Sequence, residues 1–121
     1  MDPLPTICVA DDDPDVLRSV SFLIRTFGFE VVAYASGSEL FADFHNQQPA
    51  CILLDQRMPG MSGTDVVRAL RDLGSAVPIF LISGHAVAEM KSESLGLAVQ
   101  WLEKPMDSYL LEAALRSATG K

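Results

Sequence analysis

The sequence has few cysteines, no long apolar run and no leader-like start, and each shortage excludes a class of protein. Cys8 and Cys51 lack zinc-ligand spacing, and both lie inside short apolar segments, which favours buried small side chains over a disulfide framework. Because no run of about 18 apolar residues is present, the sequence predicts no membrane-spanning helix. The first residues lack the basic and apolar regions of a signal peptide, and we therefore expect a cytoplasmic protein.

Positive charge is also scarce in this sequence. Nine Lys and Arg residues against sixteen Asp and Glu residues give a formal net charge of −7. Contacts with nucleic-acid phosphates need a basic surface, so we expect no direct binding of nucleic acid. The 121 residues, of which 49% are hydrophobic, suit one domain with one real core, and we expect residues 1–121 to form it.

Short apolar segments alternate with amphipathic segments along the chain. Five of the short segments consist almost entirely of apolar residues, which is typical of strands that are buried on both faces of a parallel sheet. These segments are residues 7–10, 31–35, 51–54, 79–82 and 99–102. With helices in the intervals, the pattern predicts a doubly wound α/β fold, in which one five-stranded parallel sheet carries helices on both faces.

Capping residues predict where the helices begin. The candidate caps are Asp13 before Pro14, Ser36 in a capping box with Glu39, and Ser62. The apolar stripe of the first helix is predicted at Val16, Val20, Leu23 and Phe27, with Leu17 and Ile24 beside it. Gly63 either allows close backbone packing or is an ordinary residue at a helix start. The fourth helical segment, at about residues 85–95, has few large apolar residues and should be the least regular.

Charged and polar residues follow four of the predicted strands, at the edge where doubly wound sheets bind ligands. They are Asp11, Asp12 and Asp13 after the first strand, Asp55 after the third, Ser83 after the fourth and Lys104 after the fifth. Clustered carboxylates need a raised pKa or a bound cation, and Mg²⁺ prefers such oxygen ligands. A carboxylate can also accept a phosphoryl group, whose oxygens an ammonium and a hydroxyl would stabilise. A single aspartate at such a position often only caps a turn or helix, as we expect of Asp13.

Four stretches around these residues resemble the receiver domain of bacterial two-component response regulators, and the resemblance covers residues 5–118. They are Val9-Ala-Asp-Asp-Asp13, Leu53-Leu-Asp-Gln-Arg-Met-Pro-Gly-Met-Ser-Gly63, Ile82-Ser-Gly-His85 and Leu102-Glu-Lys-Pro105. Details of the second and third are similar to FixJ and its relatives. The resemblance implies a flavodoxin-like and CheY-like (βα)5 fold. It also implies a phosphorylation switch rather than an enzyme with a separate substrate, and a histidine kinase or phosphotransfer protein as the phosphoryl donor.

The resemblance also implies how the site is divided among its residues. Asp55 would accept the phosphoryl group and share a Mg²⁺ ion with Asp12 directly and with Asp11 through water. The backbone carbonyl of Arg57 would complete the protein ligands. Lys104 would pair with the phosphoryl oxygens, and a cis peptide bond before Pro105 would aim its ammonium at the site.

The implied switch consists of Ser83 and Trp101, which would move toward the phosphoryl group. This would alter the face formed by the fourth helix, fifth strand and fifth helix, which often mediates dimerisation in this family. Ser83 stands where Thr is commoner and Trp101 where Tyr or Phe is usual, and a buried Trp needs a partner for its indole N–H. Arg57 and His85 lie beside the site, and we expect them to tune the loss of the phosphoryl group to water.

Three other interpretations stay open on the sequence alone. A phosphatase of the haloacid dehalogenase type would use Asp11 and Asp13 in an Asp-x-Asp pattern, but this leaves Asp55 unexplained. A degenerate receiver would act only as a protein-interaction module. A nucleotide-binding flavodoxin-like module would normally carry a glycine-rich loop after the first strand, and that loop is absent from the sequence.

Overall fold

Five parallel strands form one sheet in the computed structural model, which describes residues 4–84 and 99–120. The strands are β1 (Thr6–Ala10), β2 (Glu30–Tyr34), β3 (Cys51–Asp55), β4 (Ile79–Ser83) and β5 (Gln100–Glu103). Their order across the sheet is β2-β1-β3-β4-β5. The chain therefore reverses its direction of winding between β1 and β3, which is where a doubly wound sheet opens a crevice for a ligand.

Helices begin where capping residues predict them. In the described residues they are α1 (Pro14–Thr26), α2 (Gly37–Gln47), α3 (Gly63–Asp72) and α4 (Ser108–Thr119). Asp13 caps α1 and Ser62 caps α3, the latter in a capping box with Asp65. The helical segment predicted at residues 85–95 lies outside the described residues, so α4 is the predicted fifth helix.

The capping box predicted at Ser36 is only half correct. The Ser36 hydroxyl accepts a hydrogen bond from the Glu39 N–H at 3.1 Å, as a cap should. The Glu39 carboxylate, however, accepts from the N–H of Ala35 at 3.3 Å, one residue before the cap. Glu39 thus satisfies the backbone at the end of β2 rather than the cap residue itself.

Each face of the sheet has its own apolar core. One core packs α2 and α3 against the sheet and contains Cys8, whereas the other packs α1 and α4 against it and contains Cys51. The two thiols therefore lie on opposite faces of the sheet and cannot form a disulfide with each other. Burial raises the pKa of Cys8 to about 11 and that of Cys51 to about 12, so both stay protonated at neutral pH. Their predicted role as buried small side chains is confirmed.

The predicted stripe of α1 is confirmed in large part. Val20, Leu23 and Phe27 pack against the apolar core on the α1 and α4 face of the sheet, and Ile24, predicted beside the stripe, is fully buried. Ser21, which was not predicted, is buried as well. Val16, Val20 and Leu23 are only partly buried, and they line an open groove of about 500 Å³ whose other wall includes Lys104.

Among the described residues, every helix is too short or too polar to cross a bilayer.

Gly63 lets α3 begin directly against the end of β3. A Cβ atom at this position would lie 2.9 Å from the backbone oxygen of Asp55 and 2.5 Å from a methyl group of Leu81. Both neighbours belong to buried strands and cannot move away cheaply. Of the two interpretations of Gly63, the structure supports close backbone packing.

We expect Gly63→Ala to lower the free energy of unfolding by about 1–3 kcal/mol, because the added methyl group overpacks the junction between β3 and α3. Urea unfolding measures this change. Gly84→Ala is the matched control, because a Cβ at Gly84 meets no atom of the described residues within 4 Å. Equal stability of Gly63→Ala and the wild type would contradict the packing argument.

Candidate functional site

The carboxyl ends of four strands lie side by side and bring the predicted polar residues to one edge. In the ladder, Ala10 is opposite Leu54, Asp55 is opposite Ile82 and Ser83 is opposite Glu103. The next residues along β1 and β5 are Asp11 and Lys104. The register of the sheet, rather than any loop conformation, therefore places these side chains at the same height along the strand direction.

Three carboxylates meet at this edge. One oxygen from each of Asp11, Asp12 and Asp55 lies within 4.8 Å of the others. Asp11 and Asp55 are buried, at 7% and 6% exposure, while Asp12 faces solvent. These oxygen donors could hold a divalent metal ion. Two of them would bind it from the buried side, and water could reach it from the side of Asp12.

Lys104 supplies positive charge to the cluster. Its Nζ lies 3.0 Å from Oδ1 of Asp55. Its own N–H donates to the backbone oxygen of Ser83 at 2.9 Å, which ties the end of β5 to the end of β4. The peptide bond between Lys104 and Pro105 is cis, as the sequence analysis predicts.

One ammonium does not balance three carboxylates, and Asp11 shows the consequence. Burial raises the pKa of Asp11, and the charges of Asp55 and Asp12 raise it further. A hydrogen bond from the N–H of Asp13 to Oδ1 of Asp11, at 2.9 Å, and the charge of Lys104 act in the opposite direction. The net upward direction means that the charged form of Asp11 is disfavoured, first by burial and then by the neighbouring carboxylates, and a bound cation would favour it.

The remaining predicted residues lie around this cluster. Asp13 caps α1 as expected, accepting hydrogen bonds from the N–H groups of Asp15 and Val16. Ser83 is buried at the end of β4, and Arg57 is exposed in the loop after β3. His85 lies outside the described residues.

Trp101 packs against the apolar core on the α2 and α3 face of the sheet. Its Nε1 atom is buried and has no hydrogen-bond partner within residues 4–84 and 99–120. A buried indole N–H without an acceptor is costly, so this orientation of the ring is one that a small change nearby can alter.

Gln56 and Thr64, which were not among the predicted site residues, are joined by hydrogen bonds beside the cluster. Oε1 of Gln56 accepts hydrogen bonds from the N–H and the hydroxyl of Thr64, at 2.8 and 2.9 Å, and both residues are buried. The sequence feature that points to this pair is the Gln directly after the aspartate that ends β3. Its partner could not be read from the sequence, because it lies eight residues away across a loop.

Comparisons with known proteins show which family the sequence matches. A family model described as the response regulator receiver domain matches residues 7–116. The response regulator protein TodT of Pseudomonas putida is 39% identical over 113 residues, which are 93% of this chain and 50% of TodT. The transcriptional regulatory protein FixJ of Rhizobium meliloti is 32% identical over 115 residues, or 93% of this chain and 56% of FixJ. The predicted resemblance to FixJ and its relatives is confirmed.

The fold is shared with a solved structure of similar length. The chemotaxis protein CheY4 of Vibrio cholerae superposes with a TM-score of 0.87 at 26% identity, covering 96% of this chain and 99% of that one. The predicted doubly wound fold is therefore confirmed. In contrast, the chain spans about half the length of the curated relatives it matches.

We expect Asp11→Asn to raise the free energy of unfolding at neutral pH in metal-free buffer. A pKa that is higher in the folded than in the unfolded chain means that Asp11 contributes stability at low pH, and that this is lost as the pH rises through the folded pKa. An amide cannot ionise, and its oxygen can still accept from Asp13. The gain should shrink as the pH falls to acidic values, which thermal unfolding in EDTA across a pH series measures.

Glu30→Gln is the control for this experiment, because it removes the same charge from an exposed residue at the opposite end of the sheet. Its effect should stay within about 0.5 kcal/mol. Mg²⁺ at roughly 100 times its dissociation constant should stabilise the wild type by about 2.7 kcal/mol and Asp11→Asn by less. A metal-free Asp11→Asn that is less stable than the wild type at neutral pH would show that charge excess is not the governing term.

Proposed function

Because this chain belongs to the response regulator receiver domain family, we propose that it is a Mg²⁺-dependent switch in which Asp55 accepts the phosphoryl group. The domain is the receiver of a two-component response regulator. The observation that carries the proposal is the position of Asp55, whose buried carboxylate lies beside two more carboxylates and 3.0 Å from the ammonium of Lys104. No other described carboxylate has both kinds of neighbour in the same cluster.

In the proposed transfer, a carboxylate oxygen of Asp55 attacks the phosphorus of a phosphohistidine. The donor is a histidine kinase or a phosphotransfer protein. A P–O bond forms and the P–N bond breaks, so that Asp55 becomes an acyl phosphate and the donor histidine leaves and takes up a proton. Lys104 contributes by neutralising a phosphoryl oxygen, because its ammonium already lies at hydrogen-bond distance from the accepting carboxylate.

The oxygen donors at this edge suit Mg²⁺, which takes one or two carboxylates together with waters and phosphate oxygens. Asp11, Asp12, Asp55 and the backbone carbonyl of Arg57 would hold the ion. When bound, it would supply positive charge to the phosphoryl oxygens. Asp11 and Asp55 are buried at the ends of adjacent strands, so their carboxylates are already oriented before any ligand arrives.

The switch would operate through Ser83 and Trp101. Phosphorylation adds a charge of about −1.5 to −2 and three acceptor oxygens, which the Ser83 hydroxyl can approach from the neighbouring strand. Moving an equilibrium from 1:99 to 99:1 takes roughly 5.5 kcal/mol, which two or three charge-assisted hydrogen bonds in a partly buried site can supply. The indole N–H of Trp101 has no acceptor within residues 4–84 and 99–120, so a new orientation of the ring would break no hydrogen bond to that part of the chain.

The output face would comprise residues 85–95, β5 and α4. On α4, Tyr109 and Leu110 are 83% and 68% exposed, which leaves apolar surface for a second copy of the domain or for an effector. Phosphorylation would then favour a homodimer through this face. The acidic composition supports the absence of direct nucleic-acid binding by this domain.

Further parts of the proposal concern the whole chain. Residues 1–121 would form one receiver domain that catalyses only its own phosphorylation and dephosphorylation. A separate phosphatase activity of the haloacid dehalogenase type is not supported, because Asp13 caps α1 instead of pairing with Asp11 in the cluster. A cytoplasmic location follows from the transcriptional role that the name of FixJ states, since bacterial DNA lies in the cytoplasm.

The fluorescence of Trp101, the single tryptophan, tests the proposed switch. Beryllofluoride added with Mg²⁺ mimics the phosphoryl group, and we expect it to change the emission of the wild type but not of Asp55→Asn. Omitting Mg²⁺ should abolish the change. An equal response in Asp55→Asn, or a response without Mg²⁺, would contradict the proposed acceptor or the proposed metal.

Arg57 and His85 provide a separate test of how the phosphoryl group is lost. If their side chains tune the approach of water, Arg57→Ala and His85→Ala should each change the half-life of the phosphorylated domain several-fold. A general acid–base or positioning group of this kind contributes roughly 10²-fold or more at full efficiency, so a partial effect is readily measured. Phos-tag electrophoresis over time gives the half-lives, and unchanged values for both variants would remove the tuning role.

A further inference from the structure

The loop between β3 and α3 is closed at its base by three hydrogen bonds. The N–H of Gly63 donates to the backbone oxygen of Gln56 at 3.0 Å. The N–H and hydroxyl of Thr64 both donate to the side-chain oxygen of Gln56, at 2.8 and 2.9 Å. Residues 57–62 are therefore held between Gln56 and the first turn of α3, and Arg57 is the first residue of this held loop.

Gln56 is itself fixed to the sheet. Its N–H donates to the backbone oxygen of Ile82 on β4 at 2.9 Å, and the residue is only 5% exposed. The missing side chain of Gly63 makes room for the amide, because a Cβ there would lie 2.9 Å from Oε1 of Gln56. The amide oxygen is thus a fixed acceptor between the end of β3 and the start of α3.

We propose that Gln56 is a positioning residue for the metal site: through its bonds to Thr64 it fixes the backbone carbonyl of Arg57 relative to the carboxylate of Asp55. This inference rests on the proposed function, in which that carbonyl is a Mg²⁺ ligand. Mg²⁺ requires near-ideal octahedral geometry, so a small displacement of one ligand weakens binding. The carbonyl of Arg57 lies one peptide unit beyond Gln56, and a shift of Gln56 therefore moves it directly.

The chemistry of the pair explains why an amide is used at this position. Thr64 is 1% exposed and presents two donors, so an apolar side chain at position 56 would leave both without this acceptor in a buried place. A Glu would accept both bonds but would add a fourth carboxylate beside three clustered carboxylates and one ammonium. A neutral acceptor satisfies Thr64 and leaves the charge of the site unchanged.

Three variants separate positioning from general stability. Gln56→Leu removes both hydrogen bonds to Thr64, Thr64→Val removes the one from the hydroxyl, and Thr64→Ser keeps both donors. Ser62→Ala is the matched control, because it removes the cap of α3 at the same junction but leaves the bonds of Gln56 in place. Isothermal titration calorimetry with MgCl₂ gives the dissociation constant of each folded variant.

We expect Gln56→Leu to bind Mg²⁺ roughly 10- to 100-fold more weakly than the wild type, as is common when a group that orients a metal ligand is lost. Thr64→Val should show a smaller loss, whereas Thr64→Ser and Ser62→Ala should stay within about twofold of the wild type. The rate of phosphorylation by a small phosphodonor should return close to the wild-type value once Mg²⁺ is saturating. Because bound Mg²⁺ also stabilises the folded domain, the rates are compared among variants that are fully folded without the ion. In such a variant, recovery of the rate at saturating Mg²⁺ shows that metal affinity, rather than the fold, was lost.

The result that overturns the inference is a Gln56→Leu or Thr64→Val variant that folds and binds Mg²⁺ as the wild type does. A Ser62→Ala variant with the same loss of affinity would overturn it as well, by showing that any weakening of α3 suffices. If Gln56→Leu does not fold, Thr64→Val compared with Thr64→Ser decides the question. A wild type that binds no Mg²⁺ and accepts no phosphoryl group would instead contradict the proposed function, and this inference with it.

Discussion

The rest of the site depends on one electrostatic constraint, which is that three carboxylates face a single ammonium at the carboxyl edge of a buried sheet. Asp11 and Asp55 cannot move apart to relieve the repulsion, because each follows or ends a strand that is buried and paired on both sides. The pKa of Asp11 is raised by burial and by the charges of Asp55 and Asp12, although Lys104 acts in the opposite direction. Binding of a cation would lower the free energy of such a site by reducing the repulsion between its carboxylates. The cation and the ammonium together could then bind an anion.

The surrounding structure serves to keep this arrangement in place. Lys104 is tied to Ser83 through its backbone, and Gln56 is tied to Ile82 and to Thr64, so both sides of the cluster are fixed to β4. Gly63 permits the close approach of α3 that these bonds need. The junction between β3 and α3 therefore contributes both to stability and to the geometry of the site. Gly63 has no side chain that would overpack it, and Gln56 is an acceptor that adds no charge.

Most of the fold and the central site could be predicted from the sequence. Apolar segments located every strand to within one residue at each end, because buried parallel strands must be apolar throughout. The rule that ligands bind beyond the strand ends then selected Asp11, Asp55, Ser83 and Lys104. What the sequence did not predict was detail set by tertiary contact: the burial of Ser21, the partner of Glu39, and the hydrogen bonds from Thr64 to Gln56. No local pattern encodes which side chain will face another across a loop.

We propose that Asp55, and no other carboxylate of the cluster, becomes the acyl phosphate. The most direct measurement is to treat the phosphorylated domain with borohydride, which reduces an aspartyl phosphate to homoserine, and to locate the homoserine by peptide mass spectrometry. Under this proposal we expect homoserine at position 55 alone, in protein treated with a phosphodonor and Mg²⁺. Homoserine at position 11 or 12, or none in protein shown to carry phosphate, would contradict it.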